Sequence, residues 1–228
     1  NEMADVAAET LRSAAAALQD YTPELAQAVR EGESKTDHYE DILGTYLVKL
    51  SALKISESDS SEAAMLLKAL SDFERIGDHA LNILESAEEL KGKNLSLSDA
   101  ARHELNVLLR AVEEIVDMTF RAFRDDDLEK AYRVEPLEQV IDDLKEKMRI
   151  HHILRMQQGS CSIESGFVWS DLLTALERVG DHCSNIAGCI IDLHHHNMNT
   201  HEAIRSARME NENFDDEYKA YAVKYSLK

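Results

Sequence analysis

The chain has little of what breaks helices or builds sheets. Two prolines and eight glycines in 228 residues leave few obligatory turns, and aromatic residues make up only 6%. With Ala, Leu, Glu and Asp abundant, that scarcity excludes a turn-rich β-sandwich or barrel and predicts an all-α fold. Cysteine is scarce too. Three residues, an odd number without framework spacing, exclude a disulfide-stapled scaffold and point to a reducing compartment. No apolar run reaches the ~20 residues needed to cross a bilayer, and no secretory signal is visible. Positive charge is short: 25 Lys and Arg face 44 Asp and Glu, a formal charge of −19. Phosphate backbones would be repelled, so nucleic acid is excluded as a partner.

What is present is a repeat. Glu74-Arg75-Ile76-Gly77-Asp78-His79-Ala80-Leu81-Asn82-Ile83 returns as Glu177-Arg178-Val179-Gly180-Asp181-His182-Cys183-Ser184-Asn185-Ile186, offset by 103 residues. A repeat of this kind fixes architecture before any other feature. In each copy Glu, Asp and Asn lie four apart and stack along one helix face. Like charges at that spacing destabilise a helix by a few tenths of a kcal/mol per pair. Such rows therefore call for a cation.

The first segment, 3–20, reads as a helix with Val6, Leu11, Ala14 and Leu18 inward. Thr22-Pro23 caps a second helix running to about 55. Glu31-Gly32 interrupts it, and Glu33, Asp37 and Asp41 follow in four-residue steps. A third helix, 61–91, carries the stripe Leu66, Leu70, Phe73, Gly77, Leu81, Leu84. The second half repeats this plan with helices from about 99 and 128 and a third after the loop 157–166. Glu138, Asp142 and Glu146 fall on Glu33, Asp37 and Asp41 at an offset of 105, and Pro136 falls beside Gly32. The spacing predicts a kink or restart at Gly32 and at Pro136. Gly77 and Gly180 sit in the stripes, where a missing side chain admits a close neighbour. The expected fold is two tandem three-helix bundles related by a pseudo-twofold axis, residues 1–92 and 93–197, followed by a helical tail, 198–228. In that tail Phe214, Tyr218, Tyr221 and Tyr225 form one apolar face that can dock.

Short loops place the two acidic rows of each half side by side. Four to five carboxylates then converge on a bundle face, a donor set for a hard cation or a carboxylate-bridged multinuclear centre of iron, manganese or zinc. The fuller apolar framing of Glu138 and Asp142 by Val134, Leu137 and Ile141 makes the second centre the stronger expectation. Glu9 and Glu114 also match at the 105 offset and count as further candidates. His79 and His182 lie off the acidic face and read as packing or ligand-orienting groups, Asn82 and Asn185 as carboxylate-orienting ones. His151-His152 and the 194–196 run read as exposed or helix-end histidines, Cys183 and Cys189 as core residues, and Cys161 as a loop thiol.

The two motif copies, with Glu138-x-x-x-Asp142 on the preceding helix, resemble the PhoU family. The resemblance implies two three-helix bundles and multinuclear iron or zinc clusters on their surface. By position it carries the metal motifs to Glu33/Asp37 and Glu74/Asp78 in the first half and to Glu138/Asp142 and Glu177/Asp181 in the second. A finer likeness runs through 161–167, Ser170-Asp171-Leu172-Leu173, 177–186, Thr200-His201-Glu202 and the aromatic tail. These resemble the cytosolic C-terminal PhoU region of bacterial Na⁺/phosphate cotransporters. It implies a transmembrane portion before Asn1, or other phosphate-transport machinery, as partner, with a homodimer as a further state. It also implies a cytoplasmic location at the plasma-membrane face.

The expected function is a metal-binding, non-catalytic regulatory domain of phosphate transport. A carboxylate-bridged di-metal enzyme is the alternative, but its usual Glu-x-x-His pairs occur nowhere in the chain. A metal-free helical adaptor is the third reading.

Overall fold

Helix starts are written into the chain as hydroxyl and carboxylate caps. The Thr22 hydroxyl accepts from Leu25 N at 3.2 Å, Ser56 from Asp59 N at 3.1 Å, Ser98 from Ala101 N at 3.2 Å and Asp127 from Lys130 N at 3.0 Å. Each satisfies a backbone donor that the first turn leaves open. In a computed structural model, which describes residues 1–195 (the last without its side chain) and 213–227, seven helices result. They are α1 (Glu2–Gln19), α2 (Pro23–Ser51), α3 (Glu57–Gly92), α4 (Asp99–Asp125), α5 (Leu128–Gln157), α6 (Ile163–His195) and α7 (Phe214–Lys224). The described residues contain no strand.

Two expectations need correction. The second helix stops at Ser51 and the third begins at Glu57, because Ser56 caps it one turn earlier than the apolar stripe implies. Neither Gly32 nor Pro136 ends a helix: α2 and α5 run unbroken through both. Gly32 answers to packing. A Cβ there would lie 2.0 Å from Thr10 Oγ1, so its absence lets α1 and α2 close together.

α1–α3 and α4–α6 form the two three-helix halves, which meet through α3 and α6 in antiparallel contact. Their apolar residues form one continuous core. Phe73 of α3 meets Phe120 and Phe123 of α4 edge-on at 5.1 and 5.0 Å. At the middle of the α3–α6 seam the rings of His79 and His182 stack 5.4 Å apart. Asp72 on α3 accepts from Asn185 at 3.1 Å and lies 2.8 Å from His182 Nδ1. Its counterpart at the repeat offset is Ala175, so this polar lock exists once.

α7 packs on the second half. Tyr221 and Tyr225 are buried, Arg133 pairs with Glu217 at 3.3 Å, and Tyr218 donates to Asp143. Glu114 accepts from Tyr225 and pairs with Lys224, which makes it an anchor for α7 instead of a metal ligand. Glu9 is exposed and pairs with Arg12 at 2.8 Å. Of the four aromatic residues expected to dock, Tyr218, Tyr221 and Tyr225 pack on the second half, while Thr200-His201-Glu202 lies outside the described residues. Because α7 is an added helix held on α5 and α4 largely through these two tyrosines, Tyr221→Ala with Tyr225→Ala is expected to release it alone. Amide exchange across 214–225 should rise to that of an open chain while α4 and α5 keep their protection. Simultaneous loss of protection in all three helices would mean that α7 is part of the global folding unit.

Candidate metal centres

A five-residue connection, 52–56, turns α3 back along α2, and another, 158–162, turns α6 back along α5. The acidic rows of each pair come to lie side by side. In the first half Asp37 and Glu40 on α2 and Glu74 on α3 bring carboxylate oxygens within 4.8 Å of one another. In the second half Glu138 and Asp142 on α5 and Asp181 on α6 do the same. Five of the eight residues expected from sequence thus stand in the two clusters. Glu33 and Asp78 border the first, close enough to repel each other. Glu177 borders the second, but its Oε1 is turned to Lys145 Nζ at 2.8 Å, and its buried Oε2 has no hydrogen-bond partner.

Glu40 is the residue that sequence reading missed. Steps of four lead to Asp41 and Glu146, both of which are exposed. A helix of 3.6 residues per turn brings position i+7 back nearer to its starting face than i+8. The third rung after Glu33 and Asp37 is therefore Glu40, and after Glu138 and Asp142 it is Lys145. That periodicity was the available signal.

The clusters are rich in negative charge and partly dry. Burial, then Asp78 and Glu40, push the Glu74 carboxyl up to about 7. Burial followed by Asp78 and Asp37 raises Glu33. Burial followed by Glu177 raises both Asp142 and Asp181. One arginine serves each cluster: Arg75 lies 3.2 Å from Asp78 and 3.6 Å from Glu74, Arg178 2.9 Å from Asp181 and 3.9 Å from Glu177. Both arginines are more than half exposed, so water screens much of their effect.

The donor set fits a metal. Oxygens bound to one ion at ~2.0–2.2 Å stand up to about 4 Å apart, a small side-chain rotation from the separations here. All donors are carboxylates, with no histidine or cysteine among them, which suits hard cations. The stacked His79 and His182 are packing groups at the α3–α6 seam, and burial beside His182 pushes His79 down to about 4. Asn185 does hold a carboxylate, but it is Asp72 of the seam, and Asn82 contacts His79 at 3.4 Å. His152 lies near the C-terminal end of α5 and is buried, not exposed, and His151 lies 2.7 Å from Glu104. Cys183 and Cys189 are core thiols that burial pushes up to about 12, which leaves them unreactive.

Paired acidic rows on α2–α3 and α5–α6, repeated in both halves, coincide with a profile match. The PhoU domain family profile matches residues 1–87 and 105–190. The chain belongs to the PhoU domain family. A phosphate-specific transport system accessory protein PhoU homolog from Thermotoga maritima is 28% identical over 204 residues, covering 84% of this chain and 82% of that protein. The Escherichia coli accessory protein PhoU is 25% identical over 190 residues, covering 81% and 76%. The crystal structure of PhoU from Pseudomonas aeruginosa superposes with a TM-score of 0.80 at 26% identity, covering 86% of this chain and 93% of that one. All eight expected ligand positions and Glu40 lie inside the two PhoU-matched stretches, and α7 lies outside them.

Proposed function

We propose that this PhoU-family chain is a non-catalytic regulator of phosphate transport whose two acidic clusters hold metal. The observation that carries the metal reading is convergence: carboxylates from separate helices meet within 4.8 Å in both halves, on the corresponding helix pairs of the repeat, with Asp37 and Asp142 at matching positions. Repulsion among partly buried carboxylates is tolerable when a cation sits among them, and such a cation would hold the first-half set, Glu33, Asp37, Glu40, Glu74 and Asp78, in one geometry. In the second half it would hold Glu138, Asp142, Glu177 and Asp181. An all-oxygen donor set favours iron or another hard cation over zinc, which prefers nitrogen and sulfur in structural sites.

The regulatory part rests on kinship with proteins named as accessories of phosphate-specific transport. Its partner would be phosphate-transport machinery at the cytoplasmic side of a membrane. No described helix is long and apolar enough to cross one. The relatives above carry the name of accessory proteins, so attachment to a Na⁺/phosphate cotransporter keeps only the likeness of 161–186 and of the tail as support.

The test compares phosphate uptake in cells with and without the chain, then after return of wild type or of the variant Asp37→Ala/Glu74→Ala/Asp142→Ala/Asp181→Ala. Loss of the chain should derange uptake, and only wild type, which should carry metal when purified without chelator, should restore control. Restoration by the variant would separate regulation from metal. Unchanged uptake in cells lacking the chain would remove the regulatory reading.

A further inference from the structure

The two centres differ at one rung, and the difference reverses a charge. At the repeat offset Glu40 of α2 corresponds to Lys145 of α5, as Glu74 corresponds to Glu177. In the first half Glu40 adds a third carboxylate oxygen to the cluster with Asp37 and Glu74. In the second half the same rung carries an ammonium 2.8 Å from Glu177 Oε1, three-quarters shielded from solvent and acting on Asp142 and Asp181 as well. Among the described residues, the first centre therefore sets five carboxylates (Glu33, Asp37, Glu40, Glu74, Asp78) against the ion-paired Arg75. The second sets four (Glu138, Asp142, Glu177, Asp181) against Arg178 and Lys145.

Burial runs the opposite way. Glu138 of the second centre is 8% exposed, whereas Asp37 of the first lies in the open. A drier cluster tolerates less net charge. A lysine at its rung is the covalent equivalent of a counter-ion.

We propose that Lys145 is a resident cation of the second centre, so that the first centre is the tight, multivalent-cation site and the second admits an ion only by displacing the Lys145 ammonium from Glu177. This deepens the metal reading above and depends on it. It also inverts the order that the apolar framing of Glu138 and Asp142 predicts, because that framing reports packing and is blind to the charge on the next turn. The cation class is a hard divalent or trivalent ion with several open oxygen positions. The first centre would draw its donors from two helices, with Arg75 on the exposed flank.

The experiment uses Mn²⁺ as probe, read by the loss of the free aquo-ion electron paramagnetic resonance signal, on the full chain. The variants are wild type, Lys145→Glu, Lys145→Met, Glu40→Lys and Glu40→Gln, each checked for native helicity. Wild type should show one tight class of site and a weaker one. Glu40→Lys should abolish the tight class and Glu40→Gln should weaken it at least tenfold. Lys145→Glu should convert the weak class into a second tight one, and Lys145→Met should strengthen it by a smaller factor. Two equal classes in wild type, untouched by either charge reversal, would overturn the role of Lys145 while leaving metal binding intact. Absence of bound Mn²⁺ in wild type and in folded Lys145→Glu alike would overturn the metal reading itself. Binding that appears only in Lys145→Glu would support Lys145 as occupant and remove metal from the native chain.

Discussion

Alanine at Gly32 or Gly77 is expected to lower the stability of this chain, and alanine at Gly180, the repeat counterpart of Gly77, to raise it. All three glycines lie inside helices, where alanine is intrinsically better by about 0.8–1 kcal/mol. The packing around them decides the sign. A Cβ at Gly77 would stand 2.5 Å from Thr36 Oγ1, and one at Gly32 would meet three atoms of Thr10 at 2.0, 3.0 and 3.1 Å. Neither threonine can yield easily. Both are buried, both are β-branched on helices, and their hydroxyls donate to Glu33 O at 2.8 Å and Val6 O at 2.7 Å. Overpacking of this kind costs roughly 1–3 kcal/mol, and Gly32, with three contacts to relieve, belongs at the upper end. At Gly180 the nearest atom is Ile141 Cγ2 at 3.6 Å, an ordinary contact that a methyl group would fill. Thermal unfolding should place Gly32→Ala ~5 °C below wild type, Gly77→Ala slightly below, and Gly180→Ala ~2 °C above. Equal shifts for Gly77→Ala and Gly180→Ala would show that the two halves pack α2–α3 and α5–α6 alike.

That contrast shows how far a repeat can be read without coordinates. Helical content, the pairing of α2 with α3 and of α5 with α6, and the docking face of α7 follow from period and spacing, which single residues do not upset. No restart occurs at Gly32: a glycine after a glutamate has the same local signature whether it breaks a helix or lets one approach. Only the partner, Thr10, distinguishes them, and it is 22 residues away in sequence. The same limit applies to Gly77 and Gly180. Their register is identical, but they face Thr36 and Ile141, and the smaller polar residue permits the closer approach.

The site was legible to the same depth. Periodicity found the acidic rows and placed Asp37, Glu74, Glu138, Asp142 and Asp181 correctly on facing helices. It does not find Glu40, because a second four-residue step lands one residue past it, on Asp41. Lys145 is a basic residue that no acidic motif would pick out. Asp72, which ties His182 and Asn185 across the seam, has no repeat partner and so left no trace in the alignment of halves. Long-range pairing of unlike groups is what sequence spacing cannot carry.

Added Mn²⁺ at a hundredfold excess over its dissociation constant should stabilise the chain by about 2.7 kcal/mol, close to 8 °C in Tm, at pH 7.5, and this gain should vanish near pH 5. Protons and metal compete for the same oxygens, so the loaded chain loses stability as pH falls. The metal-free chain behaves differently. Glu74 has a folded value of about 7 against the usual 4.5, so the folded state holds more protons than the unfolded chain between those limits. Its charged-state penalty is full above pH 7 and is relieved as pH drops. His79 opposes this. Its folded value of about 4 lies below the usual 6.5, so the unfolded chain binds more protons in that window and stability falls with pH there. The two windows overlap between about 4.5 and 6.5 and offset each other. Above 6.5 Glu74 acts without that opposition, and the raised carboxyls of Glu33, Asp142 and Asp181 act in the same sense as Glu74. Tm of the metal-free chain should therefore rise as pH falls from 7.5 to 6.5, while Tm of the loaded chain falls throughout. Glu74→Gln should remove the rise in the metal-free curve and also shrink the gain from Mn²⁺. Parallel metal-free and Mn²⁺ curves, with Glu74→Gln following both, would mean that these carboxylates are solvated faces with no cation to hold.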